Sequence, residues 1–131
     1  MAIPSSTHTK TFALNWLPLL LYCLLIFIQS SYPATQSLSS IPHMDKLAHT
    51  GAYALLGFLI FRVFQTTRIR KNAVLLVTLS ALVSSLYGVS DEIHQYFVPS
   101  RSADIADVAA DVAGSILGAG IAHILFKGKR S

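Results

Sequence analysis

Four apolar runs fill most of this chain, and nothing constrains its fold more. They cover Phe12 to Ile28, Leu47 to Phe64, Ala73 to Val89 and Ile105 to Phe126, with short polar segments between them. A helix crosses a hydrocarbon core about 30 Å thick with about 20 residues, and the shortest run approaches that length. Inside lipid every backbone N–H and C=O must find a partner within the protein, so an apolar run of this kind is read as a helix. Composition agrees. Charged residues make up 12% of the chain and apolar residues 53%, whereas soluble domains carry about 25% charge. The expected fold class is all-α: a polytopic membrane protein built as a bundle of four transmembrane helices. The expected organisation is a cytoplasmic tail over 1–11, a membrane domain over 12–126 and a basic cytoplasmic tail over 127–131. Its spans fall at about 12–28, 47–64, 73–95 and 105–126.

Other classes fit less well. A cleaved signal peptide needs a shorter apolar core than the first run, and the best small-residue site, Ala34, has Tyr32 at the minus-three position. The first run is therefore read as a retained span, with Pro18 inside it. A single cysteine, Cys23, rules out an internal disulfide. No zinc-type spacing, GxGxxG, phosphate loop or HExxH motif occurs. The net charge of +4 comes from bases scattered around apolar runs, without the signatures of a nucleic-acid binder.

Orientation follows from the bases. Lys10, Arg68, Arg70, Lys71, Lys127, Lys129 and Arg130 fall on one side of a four-span bundle, and only Lys46 and Arg101 on the other. The basic side is cytoplasmic by the positive-inside rule, which predicts N-in and C-in. A probe at Ser37 is then expected outside and one at Thr67 inside. Arg62, close to a span end, is expected to snorkel.

The acids gather on the other side. Asp45, Asp91, Glu92, Asp104, Asp107 and Asp111 are all the acids in the chain, and each lies towards the non-cytoplasmic end of the second, third or fourth span. At 1.5 Å per residue, Asp91 is about 27 Å from Ala73, and His49 about 23 Å from Phe64. Asp107 and Asp111 are about 29 Å and about 23 Å from Phe126. Residues distant in sequence thus reach one layer of the bilayer.

Within that layer the spacing is helical. Lys46, His49 and Tyr53 fall at i, i+3 and i+7, and Asp104, Asp107 and Asp111 likewise. Tyr87 and Asp91 share a face with either His94 or Gln95, while Glu92 lies about 100° away from Asp91. Asp45 is placed to cap a helix from Lys46, and Asp104 one from Ile105, with Asp107 near its positive end. Capping does not account for Asp111, two turns in. An acid at the centre of a span costs about 2.5 to 3.5 kcal/mol, and a large apolar residue returns only about 0.3 to 0.6 kcal/mol. Asp107 and Asp111 must therefore be shallow, wet or paired across helices. Ala110, Gly114, Gly118 and Ala122 form a ladder of small residues suited to close helix packing. His8 is read as a tail residue and His123 as a packing one. Trp16, Tyr32, Tyr96 and Phe97 suit the membrane interfaces.

Three segments together carry a resemblance. They are Asp45-Lys46-x-x-His49-x-x-x-Tyr53, then Ser90-Asp91-Glu92-x-His94-Gln95, then Arg101-Ser102-x-Asp104-x-x-Asp107-x-x-x-Asp111-x-x-Gly114. In this order they resemble the VanZ-like family of small bacterial membrane proteins, over about residues 40 to 120. The family pattern commonly has Asn where this chain has Asp111. The resemblance implies a multi-pass protein of the bacterial cytoplasmic membrane with a role in the cell envelope. The family takes its name from a protein linked to resistance against the glycopeptide teicoplanin.

Two function classes compete. One is an enzyme on a lipid-linked or envelope substrate, because imidazole and carboxylate pairs suit general acid–base work. The candidate catalytic residues are Asp91, His94, His49, Asp107 and Glu92. Lys46, Tyr53, Gln95, Arg101 and Asp111 are candidate substrate-binding residues, the two bases suiting an anionic head group. No Ser/His/Asp or Cys/His nucleophile set is evident, so water or a substrate hydroxyl would attack in hydrolysis or group transfer. The other class is a non-catalytic binding or shielding protein that alters access of antibiotics or lipids to the surface. A transporter is a third. His49, Asp91, His94 and Asp107 mix ligand types that zinc and manganese accept, but no metal site is assigned and no cofactor is named. The expected partners are the bilayer and an envelope substrate, with no nucleic acid; the oligomeric state stays open.

Overall fold

The computed structural model describes residues 6–33 and 40–129. Residues 1–5 of the expected tail, Ala34 and Ser37 of the first loop, and Arg130 lie outside the described residues. Four helices account for the architecture, and no strand occurs among the described residues. They are α1 (Thr7–Ser30), α2 (Met44–Phe64), α3 (Ala73–Tyr96) and α4 (Ile105–Phe126), each long and apolar enough to cross a membrane.

Helix α1 starts earlier than the apolar run and does not break at Pro18. It passes through a five-residue π-helical stretch, Phe12–Trp16. Proline lacks an N–H, so the carbonyl four residues before it loses its helical donor. For Pro18 that carbonyl belongs to Leu14, and Arg62 of α2 supplies the missing donor from Nη2 at 3.0 Å. Arg62, expected to snorkel, reaches the first helix with its guanidinium.

Helix α2 differs in one cap. Asp45 does not precede the helix but sits in its first turn, behind His43, which adopts a left-handed conformation (φ 62°). His tolerates that region better than most residues. The other expected cap holds: Asp104 accepts from the Ala106 N–H at 2.8 Å. Asn72, not singled out in the sequence, caps α3 by accepting from Leu75 N–H at 3.0 Å.

Helices α2 and α4 make the most intimate pair in the bundle. A side chain at Gly114 or Gly118 would run into the backbone carbonyls of Thr50 and Ala54 on α2. From the other side, a Cβ at Gly57 would lie 2.6 Å from the Ser115 carbonyl oxygen. The ladder of small residues is therefore the surface on which two backbones meet, the interface that lipid-embedded helices favour. Helix α3 closes this pair into a three-helix core. Ser115 Oγ donates to Ser84 Oγ at 2.7 Å, and Ser84 Oγ donates to the Tyr53 carbonyl at 3.4 Å. Helix α1 packs on the outside through Leu19, Ile26 and their neighbours, and through two tyrosines. Tyr22 donates to the Ala52 carbonyl at 2.8 Å, and Tyr87 to that of Cys23 at 2.7 Å. The large apolar side chains left outside, such as Leu21, Leu86, Ile116 and Ile124, are those a bilayer would cover.

Candidate functional site

The α2–α4 contact delivers the polar cluster. With Gly114 seated against Thr50, the preceding turns of both helices face each other, and they carry Lys46 and His49 opposite Asp107 and Asp111. Helix α3 adds Glu92 from the third side.

Lys46 is the cationic hub. Its ammonium carries three donors, and it meets three carboxylates: Asp45 Oδ2 at 3.0 Å, Asp104 Oδ2 at 3.0 Å, and Asp107 Oδ1. Its side chain keeps 29% of its exposure, whereas that of Asp107 keeps 12%. The Asp104 carboxyl is held below the usual carboxylate range, chiefly by the Ala106 N–H and then by Lys46.

His49 lies one turn deeper, between two carboxylates. Its Nδ1 is 2.8 Å from Asp111 Oδ1 and its Nε2 is 3.8 Å from Asp107 Oδ2. Asp111 is fully buried, and its second oxygen, Oδ2, has no hydrogen-bond partner among the described residues. The carboxylate fits because α3 has no side chain at Gly88, where a Cβ would lie 2.9 Å from Asp111 Oδ2. Glu92, one turn along α3, accepts from the Asp104 N–H through Oε2 at 3.1 Å. Its other oxygen, Oε1, is buried and unpartnered among the described residues. Ligand atoms of His49, Glu92 and Asp111 lie within 4.8 Å of one another, so among the described residues these three form a group that could hold a metal ion.

Asp91, Gln95 and Tyr53 line the adjoining interior. Gln95 Nε2 donates to Asp91 Oδ2 at 3.0 Å, and both residues are buried. Tyr53 is also buried beside Asp91, and its hydroxyl has no hydrogen bond in good geometry among the described residues. Of the two residues that the spacing allowed beside Asp91, Gln95 is the one that meets it.

Two candidates go elsewhere. His94 Nε2 is 3.0 Å from Ser31 Oγ, and its ring lies 4.8 Å from that of Phe27. Arg101 donates to the carbonyls of Tyr32 at 2.8 Å and Gln29 at 3.0 Å. Both therefore clasp the end of α1, where helical carbonyls lack partners and a cation is favourable. The polar layer thus divides into a carboxylate–imidazole cluster between α2, α3 and α4, and a clasp on α1. Sequence reasoning passed over Gly88, Ser84 and Ser31. A signal existed for the first two, because Ser80, Ser84 and Gly88 repeat every four residues on α3.

The model of the VanZ/LLP1 family matches residues 12–126. The chain belongs to the VanZ/LLP1 family. Neither the curated proteins nor the solved structures contain a further match. The VanZ/LLP1 match includes α1 from residue 12 onward, which the three sequence motifs did not reach, so cluster and clasp both fall inside the family unit. With its four long apolar helices, this VanZ/LLP1 chain is a multi-pass membrane protein.

Proposed function

We propose that the protein works in the bacterial cell envelope, from the cytoplasmic membrane, with both termini inside and the carboxylate–imidazole cluster near the outer boundary. There it assists hydrolysis or group transfer on a lipid-linked or anionic substrate. The basic residues at the opposite ends of the helices support this orientation. Family membership supports a role of the kind that protects cells against glycopeptides such as teicoplanin.

The observation that carries the reading is the setting of His49. An imidazole useful in acid–base work needs one nitrogen fixed and the other free to exchange a proton. Asp111, wholly buried, fixes Nδ1. Nε2 looks towards Asp107 across 3.8 Å, too far for a direct hydrogen bond and wide enough for a shared water or substrate oxygen. Lys46 holds Asp107 in place and marks the exposed rim. Asp91 and Gln95 extend the polar lining inward.

The test compares envelope lipids by mass spectrometry in cells with the parent protein, His49→Gln, Asp107→Asn or none. Lipid changes that need both side chains support the reaction. Unchanged lipids with altered teicoplanin binding would move the protein to the shielding class.

A further inference from the structure

We propose that His49, Glu92 and Asp111 form a binding site for one divalent transition-metal ion of the zinc or manganese class. Three side chains from three helices each bring a ligand atom within 4.8 Å of the others. Proximity of acids alone would not suffice. The decisive feature is that two oxygens in this group have no other partner among the described residues: Asp111 Oδ2, on a fully buried residue, and Glu92 Oε1, on one with 4% exposure. Buried polar atoms are nearly always paired, so such atoms call for an explanation.

No Lys or Arg among the described residues pairs with them. Lys46 spends its three donors on Asp45, Asp104 and Asp107. Arg101 is turned to the backbone of α1. Asp91, Glu92, Asp107 and Asp111 are all buried in one layer, and a divalent cation supplies the charge that this layer lacks. One imidazole with two carboxylates is a ligand set that zinc and manganese both accept. Three protein ligands also leave a coordination position for water or a substrate oxygen. His49 would ligate through Nδ1, which faces Asp111, leaving Nε2 to face Asp107 Oδ2 across 3.8 Å, a gap that one water would bridge. A carboxylate behind a ligating imidazole is the usual outer support of such sites. Gly88 leaves room for the Asp111 carboxylate.

The inference rests on the site proposed above and gives His49 a different part in it. With the imidazole on a metal, Asp107 is left as the group that holds or moves the proton at the exposed edge. Metal binding does not depend on turnover, so the two ideas fail separately. Full-length protein without a polyhistidine tag is purified in detergent, stripped with chelator and given Zn2+ or Mn2+. The parent should take up about one ion per chain, with a rise in Tm. Asp111→Asn and Glu92→Gln should each weaken uptake by at least the roughly 10- to 100-fold lost with an outer partner alone. Asp107→Asn should fall within that range, and His8→Gln, on the exposed first turns of α1, should bind like the parent. A parent that binds neither ion overturns the proposal, as does undiminished binding in Asp111→Asn and Glu92→Gln. If those variants do not fold, bound Mn2+ in the parent decides. Spin-echo modulation from one imidazole nitrogen supports the site, and its absence overturns it. Metal uptake with unchanged envelope lipids would sink the reaction and leave the site standing; lipid chemistry without metal uptake would do the reverse.

Discussion

Replacing Lys46 with Met should reveal what the hub holds. The substitution keeps an apolar stem of similar length and removes the ammonium from three carboxylates. Those partners are unequal. The side chains of Asp45 and Asp104 keep 54% and 50% of their exposure, and water and salt screen such exposed pairs, so they contribute little. Asp107 keeps 12%, and stripping a buried charge of its partner costs about 3 to 5 kcal/mol. Because the Lys46 side chain itself retains 29% exposure, water can partly replace it, and the lower end of that range is expected. About 3 kcal/mol corresponds to a shift of roughly 100-fold in the unfolding equilibrium. The assay is reversible unfolding in mixed micelles of mild detergent and dodecyl sulfate, followed by helical circular dichroism. Asp107→Asn in the Lys46→Met background removes the orphaned charge, so it should restore most of the loss, with a coupling energy of about 2 kcal/mol. A Lys46→Met protein within 1 kcal/mol of the parent, or a double variant no better than the single one, would refute the buried hub. Lys46 would then be free to meet an anionic substrate.

Further outcomes follow from the packing. Gly57→Ala should lose about 1 to 3 kcal/mol, because its Cβ would lie 2.6 Å from the Ser115 carbonyl oxygen on a helix that cannot yield locally. Gly51→Ala, in the same helix but with nothing within 4 Å, should be neutral or gain up to about 1 kcal/mol; the same unfolding assay ranks them. Arg101→Gln should lose about 0.5 to 1.5 kcal/mol and make the end of α1 around Gln29 to Tyr32 easier for protease to reach, since it removes two hydrogen bonds to that end. A cysteine at Ser102 should react with an impermeant maleimide on intact cells and one at Thr66 should not; the reverse labelling would overturn the orientation.

Much of this was legible, for identifiable reasons. The four helices follow from apolar length, since lipid leaves a spanning backbone few alternatives. The start of α1 was not legible, because Thr7 to Thr11 are polar and their helix is a continuation, not a hydropathy signal. Its passage through Pro18 leaves the Leu14 carbonyl to Arg62, 48 residues further along the chain. In the site, Lys46 with His49 and Asp107 with Asp111 could be paired because each couple shares a helix face. Helix α3 was harder. Asp91 and Glu92 are about 100° apart, yet both are buried, because that end of α3 meets two helices. His94, next to them in sequence, turns to a third neighbour, Ser31. Within four positions Asp91, Glu92 and His94 thus turn to Gln95, Asp104 and Ser31, and no single-helix periodicity separates them.

The two kinds of helix contact imply unequal local stability. Helices α2 and α4 are joined backbone to backbone at Gly57, Gly114 and Gly118, where separation exposes a long strip at once. Helix α1 buries only Leu19, Ile26 and Ser30 among its described residues. Otherwise single side chains hold it, reaching its carbonyls from Arg62, Tyr87 and Arg101. Such hydrogen bonds contribute about 0.5 to 1.5 kcal/mol each and can open one at a time. The carboxylate–imidazole cluster rests on the α2–α4 pair and on Glu92 of α3, with no residue from α1, which keeps its geometry independent of the first helix, as a site needing fixed distances requires. Cys23 provides the test. It is the only cysteine in the chain, lies half-buried on α1, and packs against the cluster that joins α1 to α2. In a dodecyl sulfate titration, alkylation of Cys23 by a permeant maleimide should accelerate at a lower denaturant fraction than the one that melts the helical signal. Coincident transitions would mean that α1 and the core unfold as one unit, and that the clasp of His94 and Arg101 holds more firmly than its few contacts imply.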